Sequence, residues 1–186
     1  MAGLALKNSE AQTESRVASL SPRQTLLVKP RTTMDLILWR HADAEDGYPD
    51  AERALSEKGH TQAKRMAAWL NARLPQDALI LVSPAKRAQQ TAAALRREIL
   101  TSAAVDTSAQ VQGLLAAVRW PRGAQTTVVV GHQPTLGHTA SLLLTGVEGD
   151  LSVKKGAVWW FTARSLSGRV NAVLCAVMAP GMLRKD

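Results

Sequence analysis

Met34-Asp35-Leu36-Ile37-Leu38-Trp39-Arg40-His41-Ala42 is the stretch that decides how this chain reads. A short apolar run, Leu36 to Trp39, is cut off by a guanidinium and an imidazole. Apolar runs of this length, bounded by polar residues, read as buried strands, most often in sheets covered on both faces. In such sheets ligands bind beyond the carboxyl ends of the strands, where Arg40 and His41 fall. Taken alone, the pair would read as two polar residues leaving the core for water. Its recurrence downstream changes that reading.

Leu79 to Val82 is a second such run, followed by Ser83-Pro84 and then Arg87. Thr126 to Val130 is a third, β-branched and ended by Gly131-His132-Gln133-Pro134. Helical patterns separate these runs. Ser56 is a candidate N-cap for a long helix with Ala63, Met66, Ala67, Leu70 and Leu74 on its inner face. Gly59 falls in the first turn, where its cost is smaller than in a helix interior. Ser83 and Pro84 suit the cap and first position of a second helix, with Ala88, Ala92, Leu95 and Ile99 inward. Val105 to Thr107 is a weaker strand candidate, and Val111 to Val118 reads as a helix. Pro134 starts a further helix with Leu136, Ala140, Leu143 and Leu144 inward. Two β-rich runs close the chain, Ala157 to Ala163 and Val170 to Val177, joined as a hairpin through Ser165 to Gly168. Trp159 and Trp160 alternate there, one expected inward and the other over the sheet edge.

Strands joined through helices lie parallel, so their carboxyl ends share one edge of the sheet. Arg40, His41, Arg87 and His132 can then meet in one cleft, and the chemistry that suits the set is phosphoryl transfer. Guanidinium forks bind phosphate oxygens bidentately and stay charged at any working pH. A neutral imidazole can attack phosphorus when its other nitrogen donates to a fixed acceptor. Arg87 in a first helical turn opposes the helix dipole, which is unfavourable unless an anion binds nearby.

Size and composition agree with one catalytic domain. At 186 residues, 46% hydrophobic and 20% charged, the chain is an ordinary globular one. Its net charge of +8 favours anionic ligands, phosphate groups or acidic protein surfaces. The cations are scattered, and Tyr and Phe occur once each, so nucleic-acid binding is a poor fit. Cys175 stands alone, which precludes an intrachain disulfide and fits a reducing compartment. With no bilayer-length apolar run and no secretory signal, a cytoplasmic location is expected. Residues 1 to 33 carry five cations against two acids and no sustained apolar period, and read as a flexible tail. A start at Met34 is the other reading of this segment, and the domain is expected to span 34 to 186.

The motifs resemble those of the histidine phosphatase superfamily, which includes the phosphoglycerate mutases, and within it the short SixA-type phosphohistidine phosphatases. The resemblance rests on Arg40-His41, on Asp50 with Arg53-Ala54-Leu55-Ser56-Glu57-Lys58-Gly59, on Ser83-Pro84-Ala85-Lys86-Arg87-Ala88-Gln89-Gln90-Thr91, and on Val130-Gly131-His132-Gln133-Pro134. It spans residues 34 to 180 and implies an α/β fold, a three-layer α/β/α sandwich around a mainly parallel sheet. It implies His41 as the nucleophile, with Arg40, Arg87 and His132 around the phosphoryl group. Arg53 and Gln133 join the phosphate-binding set; a salt bridge to Asp50 is the other reading of Arg53. No cofactor is implied, and the histidines lack metal-ligand spacing. The expected partner is a protein carrying phosphohistidine, and the expected state a monomer.

Phosphomonoesterases need a general acid for an alkoxide leaving group. Asp43 and Asp106 are the candidates here, Asp43 with solvation in an acidic loop as its other reading. A phosphoramidate needs less such help, which favours phosphohistidine. The alternatives are a small-molecule phosphomonoesterase, and a non-catalytic phosphate-binding module. His60 and His138 fall in helical patterns and read as structural.

Overall fold

Both faces of the Leu36–Trp39 run are covered by helices, which is why it is apolar throughout rather than alternating. The computed structural model describes residues 34–166 and 169–183, so the expected tail over 1–33 lies outside the described residues. The elements are β1 (Asp35–Arg40), α1 (Glu57–Asn71), β2 (Leu79–Val82), α2 (Lys86–Ala93), β3 (Leu100–Thr101), α3 (Val111–Ala117), β4 (Thr127–Gly131), α4 (Thr135–Thr145), β5 (Val158–Leu166) and β6 (Arg169–Met178). They form a six-stranded sheet in the order β3-β2-β4-β1-β5-β6. The first four strands are parallel, and β5 and β6 add the antiparallel hairpin.

Alternate residues of β1 feed two separate cores. Leu36 and Leu38 pack with Leu114 of α3 and with Leu136 and Ala140 of α4. Ile37 and Trp39 pack with Met66 and Leu70 of α1 and with Ala88 and Ala92 of α2. Each such large side chain contributes about 1.5–3 kcal/mol by leaving water. The result is the expected α/β/α layering.

Several local expectations need correction. Val105 to Thr107 is not a strand: Val105 ends a 3-10 turn (Ala103–Val105), Asp106 and Thr107 lie in the bend and turn after it, and the edge strand β3 comes earlier and is only two residues long. Ser83 and Pro84 precede α2 rather than begin it: Ala85 is the N-cap, and Ser83 Oγ accepts from the Ala85 N–H at 3.2 Å. Leu144 is 42% exposed, because α4 turns it past the core. Trp159 and Trp160 pack against opposite helical layers, since β6 takes the sheet edge. The hairpin forms with Leu166 opposite Arg169.

Candidate active site

The strand registers build the site. Arg40 lies opposite Gly131, and Val82 opposite Val130, so β1, β2 and β4 end level. The His41 N–H donates to the Gly131 carbonyl and the Ser83 N–H to that of Val130, each at 3.0 Å. His41, Ser83 and His132 therefore leave the sheet side by side, and the first turn of α2 adds Arg87. All four are buried.

His41 Nδ1 is 2.7 Å from the Ala42 carbonyl oxygen. A carbonyl only accepts, so Nδ1 carries the proton and Nε2 keeps its lone pair. Arg87 Nε donates to that lone pair at 3.3 Å. Helix α2 also holds the carbonyl's own residue in place: the Ala42 N–H donates to Thr91 Oγ1, which donates to the Arg87 carbonyl. His132 stands beside His41, with ring centroids 5.1 Å apart. Its Nδ1 accepts from Arg87 Nη2 at 3.4 Å, which puts its proton on Nε2, 2.7 Å from Ser83 Oγ.

Burial pushes the His41 imidazole down to about 4, with the Arg87 and Arg40 charges acting the same way. Burial likewise pushes His132 down to about 3, helped by its neighbours His41 and Arg87. Both rings are neutral at neutral pH, amid two guanidiniums. Such a site can present an uncharged nucleophile to an anion while fixed cations bind that anion.

Arg40 is anchored through Nη1 to the Val153 carbonyl at 2.7 Å, and its buried Nε has no partner among the described residues. The same loop returns at Gly156, whose N–H donates to the Arg40 and His41 carbonyls. Arg87 is held by Asp50, whose carbonyl accepts from Nη1 at 2.6 Å and whose Oδ2 accepts from Nη2 at 2.8 Å. Arg53 binds Asp50 Oδ1 at 3.0 Å, Asp46 and the Glu45 carbonyl. It thus takes the expected salt bridge and reaches the site through Asp50.

Two candidates are placed otherwise than expected. Gln133 donates one amide N–H to the Leu151 carbonyl at 2.5 Å, and its Oε1 is buried with no partner among the described residues. It braces the loop against the start of α4. Asp43 binds Lys155 at 2.7 Å and Ser56 Oγ at 2.9 Å, and the Lys155 ammonium holds its carboxyl below the usual range. A proton donor needs the opposite shift. Asp106 accepts from the Ser108 backbone and hydroxyl. His60 is exposed, and His138 pairs with Asp150. Among the described residues, no group of three His, Cys, Asp or Glu side chains could hold a metal ion.

Sequence reasoning missed the positioning residues. Asp50 and Thr91 were visible only as parts of longer motifs. The loop around Val153 and Gly156 left no signal, because it acts through backbone groups that any residue carries.

The model of the histidine phosphatase superfamily (branch 1) matches residues 36–112. An uncharacterized protein of Picosynechococcus sp. (strain ATCC 27264 / PCC 7002 / PR-6) is 36% identical over 159 residues, covering 75% of this chain and 90% of that relative. Among solved structures, a SixA-type protein from Nakamurella multipartitia is similar at a TM-score of 0.66 and 26% identity, over 81% of this chain and 98% of the other. The protein histidine phosphatase SixA complexed with tungstate is similar at a TM-score of 0.68 and 23% identity, over 81% and 100%. With the strand-end histidines and arginines in one cluster, these likenesses make the chain a phosphatase of the histidine phosphatase superfamily, of the SixA type.

Proposed function

We propose that the protein removes the phosphoryl group from phosphohistidine on a protein, by way of a covalent phosphohistidine at His41. The observation that carries this reading is the His41 Nδ1 contact with the Ala42 carbonyl, which fixes the tautomer and keeps the lone pair on Nε2, the nitrogen that faces Arg87. As the His41 Nε2–phosphorus bond forms, the bond from phosphorus to the substrate nitrogen breaks, and its electron pair returns to that ring. Water then attacks phosphorus, the bond to Nε2 breaks, and inorganic phosphate leaves with His41 neutral again. Arg40 and Arg87 bind the equatorial oxygens, where negative charge spreads in the transition state. An arriving dianion offsets the nearby positive charge, so His132 takes up a proton and donates to the phosphoryl group from Nδ1.

The leaving group favours phosphohistidine over an alcohol ester. Asp43 is held as a carboxylate, and Asp106 is tied to Ser108. An alkoxide would need a proton that neither supplies readily. An imidazole whose second nitrogen is protonated departs neutral without one.

The test is a dephosphorylation panel of phosphorylated histidine-phosphotransfer proteins, phosphoserine and sugar phosphates. The phosphohistidine proteins should be turned over fastest, with an acid-labile label trapped on the wild-type enzyme and absent from His41→Ala. Faster turnover of the esters would make the protein a phosphomonoesterase, and full activity in His41→Ala would falsify the nucleophile.

A further inference from the structure

Next to the catalytic loop lies a groove of about 510 Å³, lined by Asp43, Lys58, Gln62, Lys154, Lys155 and the turn from Ala179 to Met182. It is continuous with the site through the backbone. Asp43 follows His41 by two residues, and its N–H is held by Gln62 Oε1 at 2.9 Å. On the other wall, Val153 and Gly156 flank the two lysines, and both are bonded to Arg40 or His41. The groove therefore opens where a macromolecular substrate would lie once its phosphoryl group reached His41.

Its charge is lopsided. Three lysines face one acid, and that acid is already paired with Lys155. Lys58 and Lys154 are exposed and make no ion pair among the described residues. Beside them Met182 is 66% exposed, so the groove pairs free cations with an apolar contact. None of the groove's side chains bonds Arg40, His41 or Arg87, so the groove is open to a part of the substrate other than the phosphoryl group. An extended polypeptide has such a part.

We propose that this groove seats an acidic segment of the protein that carries the phosphohistidine, next to the phosphorylated side chain. The inference rests on the reading of the substrate given above. Opposite charge on the two surfaces speeds encounter and fixes register more than it adds affinity, and it weakens with salt.

The experiment uses Lys58→Glu/Lys154→Glu, which leaves every group at the phosphoryl site in place, and Lys58→Arg/Lys154→Arg as the charge-conserving control. Two substrates are compared, an acidic phosphorylated histidine-phosphotransfer protein and free phosphoramidate. The Glu variant should lose about tenfold or more in kcat/KM on the protein at low salt, a loss that shrinks as salt is added. Its phosphoramidate turnover should stay at the wild-type level, and the Arg variant should behave as wild type on both. An unchanged rate on the protein, or an equal loss on both substrates, overturns the groove. Binding of the unphosphorylated carrier by wild-type and Glu variant provides a readout without turnover. A carrier that binds the wild type, loses affinity in the Glu variant and is never dephosphorylated keeps the groove while sinking the phosphohistidine reading.

Discussion

Asp50 Oδ2 lies 2.8 Å from Arg87 Nη2 while the Asp50 carbonyl oxygen accepts from Nη1, so one residue occupies both prongs of the guanidinium. Phosphoryl oxygens seek those same donors. Asp50 thus competes with a phosphoryl group for Arg87, and it ties Arg87 to Arg53 by bonding both.

Removing that carboxylate should therefore ease anion entry. Asp50→Asn keeps the side-chain size and the backbone contact but discards the charge. Asp50 is about half exposed, so its ion pair is worth at most about 1 kcal/mol. The inhibition constant for sulfate should fall by up to about fivefold, using 1.36 kcal/mol per decade. A rise instead would mean that the Asp50 carboxylate aims the fork at the ligand rather than competing with it.

The two depressed imidazoles give stability a defined pH dependence. His41 titrates near 4 and His132 near 3 in the folded protein, against 6.5 for the ordinary side chain. Below 6.5 the unfolded chain binds protons that the folded one refuses. Stability is therefore fully present above about 6.5 and is lost progressively as pH falls toward 4 and 3. Melting temperature should drop between pH 7 and pH 5, and His41→Asn/His132→Gln should flatten the slope. Sulfate, a dianion across this range, should stabilise more at pH 5 than at pH 7, because its binding draws protons onto the rings. A slope unchanged in the double variant would assign the acid sensitivity to other groups.

The fold was legible in the sequence because its signals are local. Leu36–Trp39 and Leu79–Val82 are unbroken apolar runs and Thr126–Val130 a β-branched one, each cut off by polar or turn residues, and Ser56 is a cap with an amphipathic helix behind it. Parallel register then follows from connectivity, which is why His41, Arg87 and His132 could be expected together. What stayed hidden depends on distance in space. Gln133 sits in a motif, but its direction is set by Leu151, eighteen residues on. Asp43 looked like a free acid beside the site until the fold brought Lys155 to it across 112 residues.

Arg87 separates charge from geometry. Arg87→Lys keeps the cation but loses the planar fork. Transition-state binding should fall by the worth of a charge-assisted hydrogen bond, about 1.5–3 kcal/mol. That is about a tenfold to hundredfold loss in kcat/KM. Arg87→Gln removes a charge that depresses both imidazoles, so the acid limb of the pH–rate profile should also move upward. A structural arginine would leave both readouts unmoved while lowering the melting temperature.

Gly59 decides between two opposite expectations. Read as a helical glycine, Gly59→Ala should stabilise α1 by up to about 1 kcal/mol. The structure reverses the sign. Gly59 faces the backbone of Asp43, and a Cβ built there collides with the Asp43 carbonyl oxygen, a rigid main-chain atom. That carbonyl also accepts from the Ser56 N–H at 3.1 Å, and Ser56 Oγ in turn caps Gly59. The alanine methyl must therefore push the start of α1 away from the chain that follows His41, straining the cap and the catalytic loop together. A loss of about 1–3 kcal/mol is expected, the usual cost of overpacking a closed contact. Because Ala42 and Asp43 move with the loop, the Ala42 carbonyl that sets the His41 tautomer should shift as well, and kcat should fall along with the melting temperature. Gly59→Ala with an unchanged or raised melting temperature would show that the helix and loop can part without cost, and that their close approach is not what orients the nucleophile.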